Sequence, residues 1–249
     1  MSFEVRPISA GWEREGAVAL AAGNLFSRAL LHGSLKAPGL RECTRHWGAF
    51  LGDRVVGMIA QIDGFFPYRS APIAAALPGA AAALFRAIER PATCLAAEPL
   101  WAELERAGAI QSNNHLQMVR LRRGPIPKMG HEAKRIDNHA ELEAFYGPWF
   151  QRHRLAAGPF FACREGDQLV AAGGIEFVTE RIAQISLMQT VDGQRSKGYG
   201  TAIMRELVAD LETPERHMVL QVRAENSAAI SLYRELGFRG TRRLRSYIP

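Results

Sequence analysis

Cysteine is scarce in this sequence of 249 residues, and its three occurrences, Cys43, Cys94 and Cys163, lie far apart. An odd number at such spacings gives neither a disulfide framework nor a metal-binding pattern. The seven histidines show no His-Glu-x-x-His or other ligand spacing, so no metal site is predicted. Free cysteines of this kind are typical of a reducing compartment, and we expect a cytoplasmic protein.

Long apolar runs are missing too. The most hydrophobic stretch, residues 71–85, is interrupted by two prolines and Gly79, so no segment is predicted to cross a bilayer. The first residues contain no apolar signal core, so we expect no export. With 47% hydrophobic and 22% charged residues, the composition is that of a globular protein rather than a disordered one.

Acidic residues are outnumbered by basic ones, 25 against 31, which gives a formal net charge of +6. A basic balance favours polyanionic partners, and nucleotide cofactors and nucleic acid both qualify. It fits a solvated basic surface equally well. Basic and aromatic residues do not interleave on any recognisable recognition element, so nucleic acid is the partner that we rank last.

A basic stretch rich in glycine and proline, residues 122–130, separates two segments that each resemble a mixed α/β unit. It predicts one domain over residues 1–125 and a second over residues 126–249. In the second segment, apolar and alternating patterns predict strands at 160–163, 168–178, 182–190 and 217–222, and one more strand or hairpin at 238–248. Helical spacing predicts one helix that Pro214 closes, and another that begins at Asn226 and stops at Gly237.

The first segment repeats this order more weakly. Its patterns predict strands at 47–51, 55–62, 92–96 and 115–121, and helices at 80–88 and 99–107. Such an internal repeat of element order indicates a tandem duplication. No glycine-rich loop precedes the helix at 80–88, so we interpret the first domain as a degenerate copy that keeps the fold but lacks the ligand site.

The most informative residues form a polar loop between a strand and a helix, with the sequence Arg-Ser-Lys-Gly-Tyr-Gly-Thr at positions 195–201. The first backbone N–H groups of a helix have no partners within it, and the helix dipole adds partial positive charge there. Gly198 and Gly200 remove the Cβ atoms that would keep a phosphate away from the backbone. Arg195 and Lys197 add full charges. Together these features predict a cradle for a diphosphate.

Three kinds of phosphate-binding loop compete for this stretch. A P-loop ends in Gly-Lys-Ser/Thr, but here Lys197 precedes the first glycine. A dinucleotide fingerprint needs a small third residue where this chain has Ile203, and it needs a parallel βαβ unit instead of the antiparallel meander predicted here. The pattern Arg/Gln-x-x-Gly-x-Gly/Ala fits residues 195–200 without adjustment.

A second motif, Asn-x2-Ala-x3-Tyr-x3-Gly-Phe, follows from Asn226 to Phe238. Joined to the glycine loop, it makes residues 189–238 resemble the core of the GNAT acyltransferases. The resemblance covers roughly residues 129–249. It implies an α+β GNAT fold, in which a central, mostly antiparallel, twisted sheet is flanked by helices. With the repeated order in the first segment, it implies a tandem of two such units.

The resemblance also implies a cosubstrate, acetyl-CoA, and the place where it binds. Its diphosphate would lie on the backbone of the glycine loop. Its pantetheine arm would pair like an extra strand with the end of the preceding strand, which a bulge splays open. Asn226 would hydrogen-bond this arm, and it is also a plausible plain N-cap. The implied cofactor-binding residues are Met188, Gln189, Thr190, Arg195, Ser196, Lys197, Gly198, Tyr199, Gly200, Thr201 and Asn226.

By its position in the second motif, Tyr233 is the general acid that the resemblance implies, because the thiolate that leaves after an amine attacks a thioester needs a proton. The alternative is a tyrosine whose ring only packs in the core. The Val-Arg-Ala-x-Asn stretch at 222–226 resembles that of the ribosomal-protein N-terminal acetyltransferases, which carry a glutamate where this chain has Gln221. Glutamine cannot accept a proton at neutral pH, so that route is closed here. Glu176, on the strand before the splayed one, is the candidate base, with Glu180 and Glu225 as weaker options.

Two further features have plainer interpretations. Cys163 lies in an apolar strand with no histidine nearby in sequence, which favours an inert buried thiol over a nucleophile. The aromatic residues within 145–150 lie where the superfamily lines its acceptor pocket, but core packing is the usual role of such a cluster.

The function implied by the resemblance is N-acetyl transfer from acetyl-CoA to a primary amine, by direct attack in a ternary complex. The acceptor amine is unknown, and a homodimer is left open. The alternative is a sensor that binds acyl-CoA and has lost turnover, with Gln221 as its trace. Both hypotheses predict cofactor binding, but only the enzyme predicts release of the thiol.

Overall fold

The computed structural model describes residues 2–9, 11–22, 29–64, 69–89, 92–121, 124–128 and 130–248. The chain forms two compact units: the first contains Met1–Gln117 and Thr241–Pro249, and the second contains Met118–Gly240. Arg122, Arg123 and Met129, in the predicted linker, lie outside the described residues. The predicted domains 1–125 and 126–249 stay predictions.

The first unit consists of a sheet with helices packed on it. Its strands are β1 (Glu4–Pro7), β2 (Thr44–Leu51), β3 (Arg54–Ile62), β4 (Ser70–Ala75), β5 (Thr93–Ala97) and most of β6 (Ile110–Arg120). Its helices are α1 (Trp12–Ala22), α2 (Ala29–Lys36), α3 (Pro38–Glu42), α4 (Ala80–Ala87) and α5 (Trp101–Arg106). Strands β1 to β5 are neighbours in chain order, antiparallel except for the parallel pair β4 and β5.

Alternate residues of β3 point to opposite faces of the sheet, and both faces are buried. Met58 and Ala60 pack in one cluster with Ala17 of α1 and Leu31 of α2. Ile59 packs in the other cluster, which includes residues of α4 and α5. The end of the last strand of the chain also belongs to this unit, where residues 244–247 pair antiparallel with β5.

The second unit repeats the order of the first: strand, helices, three-stranded meander, helix, strand, helix and strand. Its strands are β7 (Lys134–Ile136), β8 (Phe160–Glu165), β9 (Gln168–Val178), β10 (Ile182–Thr190), β11 (His217–Arg223) and the start of β12 (Phe238–Ile248). Its helices are α6 (His139–Tyr146), α7 (Arg154–Ala157), α8 (Tyr199–Leu211) and α9 (Ser227–Glu235). Strands β7 to β10 are antiparallel neighbours, and β10 pairs parallel with β11.

The predicted α+β class, with a mostly antiparallel sheet flanked by helices, is confirmed. Strands β9 and β10 have the predicted bounds, and residues 238–248 form one strand rather than a hairpin. Several elements were not predicted from the sequence: strands β1 and β4 and helices α1, α2 and α3 in the first unit, and strand β7 and helices α6 and α7 in the second. Among the described residues, no helix is long and apolar enough to span a membrane.

Candidate functional site

Strand β10 contains a bulge near its end. Its pairing with β9 steps from Ser186 opposite Gly174 to Gln189 opposite Ala172. Leu187, inside this step, has a positive φ of 58°, and its carbonyl accepts a hydrogen bond of 2.8 Å from the Tyr146 hydroxyl. The parallel register with β11 covers only residues 182–185, so the strand end at 188–190 lies beyond it. The sheet therefore opens where the resemblance implies that it should.

A glycine on the neighbouring strand makes room for the Met188 side chain. A Cβ at Gly173 of β9 would overlap the Met188 sulfur. A larger residue at position 173 would therefore displace the flexible Met188 side chain from its place over β9.

Helix α8 begins at a left-handed glycine. Gly198 is the N-cap with a φ of 94°, and Ser196 before it has a φ of 63°. The first bond of the helix runs from the Ala202 N–H to the Gly198 carbonyl, at 3.0 Å. The amides of residues 199–201 precede that bond and have no acceptor within the helix. They form the electropositive end of α8.

A small polar network fixes the loop to the end of β8. The Glu165 carboxylate accepts hydrogen bonds from the Tyr199 hydroxyl and from the Gln194 amide, the latter at 2.6 Å. The Tyr199 ring lies against the His131 ring, with centroids 4.0 Å apart. The hydrogen bond from Tyr199 holds the pKa of Glu165 below its usual range and, with burial, raises the pKa of Tyr199 to about 12. Glu165 therefore connects Gln194, within the loop, to Tyr199, where the loop joins α8.

The two full positive charges of the loop differ in their placement. Lys197 donates to the side-chain oxygen of Gln194 and does not line the cleft described below. Arg195 lines that cleft and pairs with Asp192 at 2.9 Å, and its side chain is 72% exposed. An ion pair this exposed contributes little, so Arg195 can turn to an anionic ligand at small cost.

A cleft of about 570 Å³ lies between the end of β10, the start of α8 and helix α9. Every predicted site residue except Lys197 and Glu176 lines it. The predicted residues brought together are Met188, Gln189, Thr190, Arg195, Ser196, Gly198, Tyr199, Gly200, Thr201, Asn226 and Tyr233. Residues that the sequence analysis missed are Gln194, Ala228, Ala229 and Leu232.

Asn226 is the N-cap of α9, which is one of the two roles predicted for it. Its side-chain oxygen accepts a hydrogen bond of 3.1 Å from the Ala229 N–H, which satisfies one of the first amides of α9. The cap uses only the oxygen, and the residue also lines the cleft, so its side-chain nitrogen remains available to a ligand.

Tyr233 lies on α9 with its ring 6.0 Å from that of Phe238 and its side chain only 7% exposed. Its hydroxyl has no hydrogen-bond partner within the described part of the chain. Burial raises the pKa of Tyr233 to about 12, so the phenol keeps its proton at neutral pH. The residue is thus both packed in the core and exposed to the cleft.

Glu176 is placed elsewhere. It is 4% exposed on β9, where the Gln184 amide donates to it at 2.8 Å, and it is not among the residues that line the cleft. Burial raises the pKa of Glu176 to about 6, although the charge of Arg154 and the hydrogen bond from Gln184 oppose this. Its role as the base stays a prediction.

Cys163 and the aromatic cluster both belong to the interior. Burial raises the pKa of Cys163 to about 11, which leaves a protonated and unreactive thiol at neutral pH. Tyr146 and Phe150 are buried in one cluster with Leu142 and Phe160, so the aromatic residues of this region pack as core. Within the described ranges, no group of three His, Cys, Asp or Glu side chains is arranged to hold a metal ion.

The corresponding helix start in the first unit is closed. Helix α4 also begins at a left-handed glycine, Gly79, with a φ of 88°. The Ala82 amide in its first turn donates to the Glu103 carboxylate of α5, at 2.7 Å. The Phe3 ring lies 3.1 Å from where a Cβ on Gly79 would be. A carboxylate of the chain itself thus lies where α8 leaves room for a ligand.

Part of the second unit matches a known family model. Residues 163–246 match the family model described as FR47-like protein, which is GNAT-related. No curated protein matches the chain. The GNAT relationship predicted from the sequence of the C-terminal half is therefore confirmed.

Solved structures match the fold of the whole chain at low sequence identity. A Drosophila protein is 13% identical with a TM-score of 0.73, and the match covers 100% of this chain and 99% of that one. A tandem GNAT protein from the clavulanic acid biosynthesis pathway is 16% identical with a TM-score of 0.65, covering 100% and 98%. A GCN5-related N-acetyltransferase from Kribbella flavida is 16% identical with a TM-score of 0.64, covering 90% and 95%. The chain has the GNAT fold, and a tandem GNAT protein is among its structural neighbours.

Replacing Glu165 by alanine should loosen the glycine loop, because it removes the acceptor of both Tyr199 and Gln194. We expect several-fold faster hydrogen exchange at the amides of residues 194–199, with little change elsewhere in the second unit. Glu180→Ala, at an exposed carboxylate in the turn after β9, serves as the control. Unchanged exchange in the loop of Glu165→Ala would show that the network does not hold it.

Proposed function

We propose that this chain is an N-acetyltransferase that transfers an acetyl group from acetyl-CoA to a primary amine in a ternary complex. The observation that carries the proposal is the convergence of two motifs, the glycine loop and the motif from Asn226 to Phe238, on one cleft. The FR47-like match and the acetyltransferases among the structural neighbours support acyl transfer at a coarser level.

The start of α8 supplies the binding energy for the diphosphate. Its open amides and its dipole favour an anion at this position. Arg195 adds a mobile charge at the rim of the cleft. Gly200 allows α8 to approach α9 closely, since a Cβ at this position would lie 3.3 Å from the Leu232 side chain of α9.

The strand end of β10 and the cap of α9 are suited to the pantetheine arm. Residues 188–190 lie beyond the register with β11, so their backbone groups can pair with an extended ligand as a neighbouring strand would. Asn226 faces the same space and can donate its side-chain N–H to an amide of the arm. These contacts would direct the thioester towards Tyr233.

Tyr233 is suited to the last step. The amine nitrogen attacks the thioester carbonyl, the C–S bond breaks, and the sulfur takes up the proton of the Tyr233 hydroxyl. A phenol that stays protonated in the neutral range can donate to the sulfur as negative charge develops there. The proton lost by the amine restores the phenol through solvent or a base.

The sensor alternative also rests on an observation. None of the described residues that line the cleft carries a carboxylate, and Gln221 stands where the similar enzymes named above have a glutamate. A protein that only senses acyl-CoA would bind it and release no thiol with any amine. Thiol-release assays against amino acids, polyamines, aminoglycosides and peptide N-termini separate the two functions.

Replacing Tyr233 by phenylalanine should remove the proton donor and keep the ring. We expect kcat to fall on the order of a hundredfold, with the Kd for acetyl-CoA unchanged. Tyr247→Phe, which removes another hydroxyl whose pKa is raised to about 12 but which lies outside the cleft, is the matched control. A Tyr233→Phe enzyme with full kcat would exclude the acid role.

The raised pKa of Glu176 gives a test of the base. A base must be unprotonated to act, so kcat/KM should rise as the pH increases through about 6. In Glu176→Gln this limb should disappear together with most of the activity, whereas Glu180→Gln should keep both. If Glu176→Gln retains the limb near pH 6, the base lies elsewhere.

A further inference from the structure

A second cavity, of about 360 Å³, lies in the first unit, where the end of β1 meets the start of β2. Helix α1 contributes Arg14 to its lining, α3 contributes Arg41, and β2 contributes Arg45 and His46. Among the described residues that line it, none is acidic. A cavity lined by arginines and by no carboxylate favours an anion.

The three arginines are not equivalent. Arg45 is neutralised, because it donates two hydrogen bonds to Glu89, at 2.6 and 2.9 Å, and one to Asp63 at 3.0 Å. Arg14 and Arg41 form no ion pair with any residue that the structure describes. Glu13, next to Arg14 in the sequence, is held by Arg6 and by the Ser9 backbone N–H, the latter at 2.8 Å. Arg14 and Arg41 therefore line the cavity without an ion-pair partner in the described part of the chain.

His46 also lines the cavity and is neutral. Its Nε2 lies 3.0 Å from the Ser34 hydroxyl oxygen, and that hydroxyl donates to the Leu31 carbonyl at 2.8 Å. Nε2 must then donate to Ser34, which leaves Nδ1 without a proton in the neutral ring. Burial, and to a smaller extent the charge of Arg14, lower the pKa of His46 to about 4. The imidazole therefore adds no charge of its own to the cavity at neutral pH.

We propose that this cavity is a binding site for the oxyanion group, phosphate or carboxylate, of a small molecule. Guanidinium groups present paired N–H donors in a geometry that suits both kinds of oxyanion. Ile8 and Leu35 also line the cavity and offer apolar contacts to the rest of such a molecule. The site lies wholly in the first unit and is independent of the acetyl-CoA cleft proposed for the second.

Two probes, inorganic phosphate and succinate, distinguish the two sources of the oxyanion. Each is titrated into the full chain while backbone amide chemical shifts are followed by NMR. Saturable shifts at residues 8–14 and 41–47 are expected with at least one probe. Amides of residues 195–201 report any binding at the glycine loop separately, so failure of one site is not mistaken for failure of the other.

Substitutions at the two uncompensated arginines complete the test. In Arg41→Glu, which alters an exposed position and should fold, and in the double variant Arg14→Gln/Arg41→Gln, we expect binding at least about tenfold weaker. Arg54→Gln, which removes an exposed charge elsewhere in the same unit, should bind as the wild type does. Absence of saturable shifts in the wild type, or equal affinity in Arg41→Glu, would overturn the proposal.

Discussion

The open amides at the start of helix α8 are the feature on which the proposed chemistry depends. A helix end needs partners for its first N–H groups, and it can find them in a side chain, in water or in a ligand. In α4 the Glu103 carboxylate meets this need from within the chain, at 2.7 Å from the Ala82 nitrogen. Both helices begin at a left-handed glycine, but in α8 the residue that corresponds to Ala82 is Thr201, which lines the cleft. Two helices in equivalent places thus have opposite capacities for an external anion.

The surrounding structure maintains that opening. Glu165 ties the loop to β8 through Tyr199 and Gln194, so the backbone of the loop is held before any ligand arrives. The Tyr146 hydroxyl fixes the bulge of β10 by bonding the Leu187 carbonyl. Binding to a site held in this way avoids much of the entropic cost of ordering a loop. If the proposed function is correct, these three hydrogen bonds raise the affinity for acetyl-CoA by holding the site in place.

The sequence alone predicted the glycine loop and the bounds of β9 and β10, because each rests on local pattern or on a motif with fixed spacing. The family resemblance then pointed to most of the residues that line the cleft, but not to Gln194, Ala228, Ala229 or Leu232. It missed β4, whose residues Ser70–Ala75 are mainly small and include a proline, so they carry no strand signal. It did not find Glu165, since a carboxylate in a turn resembles any solvated surface residue until the fold brings Tyr199 to it.

Glu176 shows a different limit of sequence analysis. In a regular strand, the alternation of side chains would predict which face of the sheet Glu176 lies on. Here the register between β9 and β10 shifts at this residue, with Phe177 opposite Gln184 and Ile175 opposite Ile185. A bulge interrupts the alternation on which such an assignment depends. The side chain is buried beside Gln184 and within reach of the charge of Arg154, which no pattern in the chain indicates.

Calorimetric titration of the full chain with acetyl-CoA and with acetyl-pantetheine, which lacks the diphosphate, tests the central claim most directly. The account predicts one molecule of acetyl-CoA per chain, because α4 is closed and α8 is open. It also predicts that acetyl-pantetheine binds at least about tenfold more weakly, since charge-assisted bonds to the helix amides are lost. Equal affinity for the two compounds, or no heat with acetyl-CoA, would contradict it.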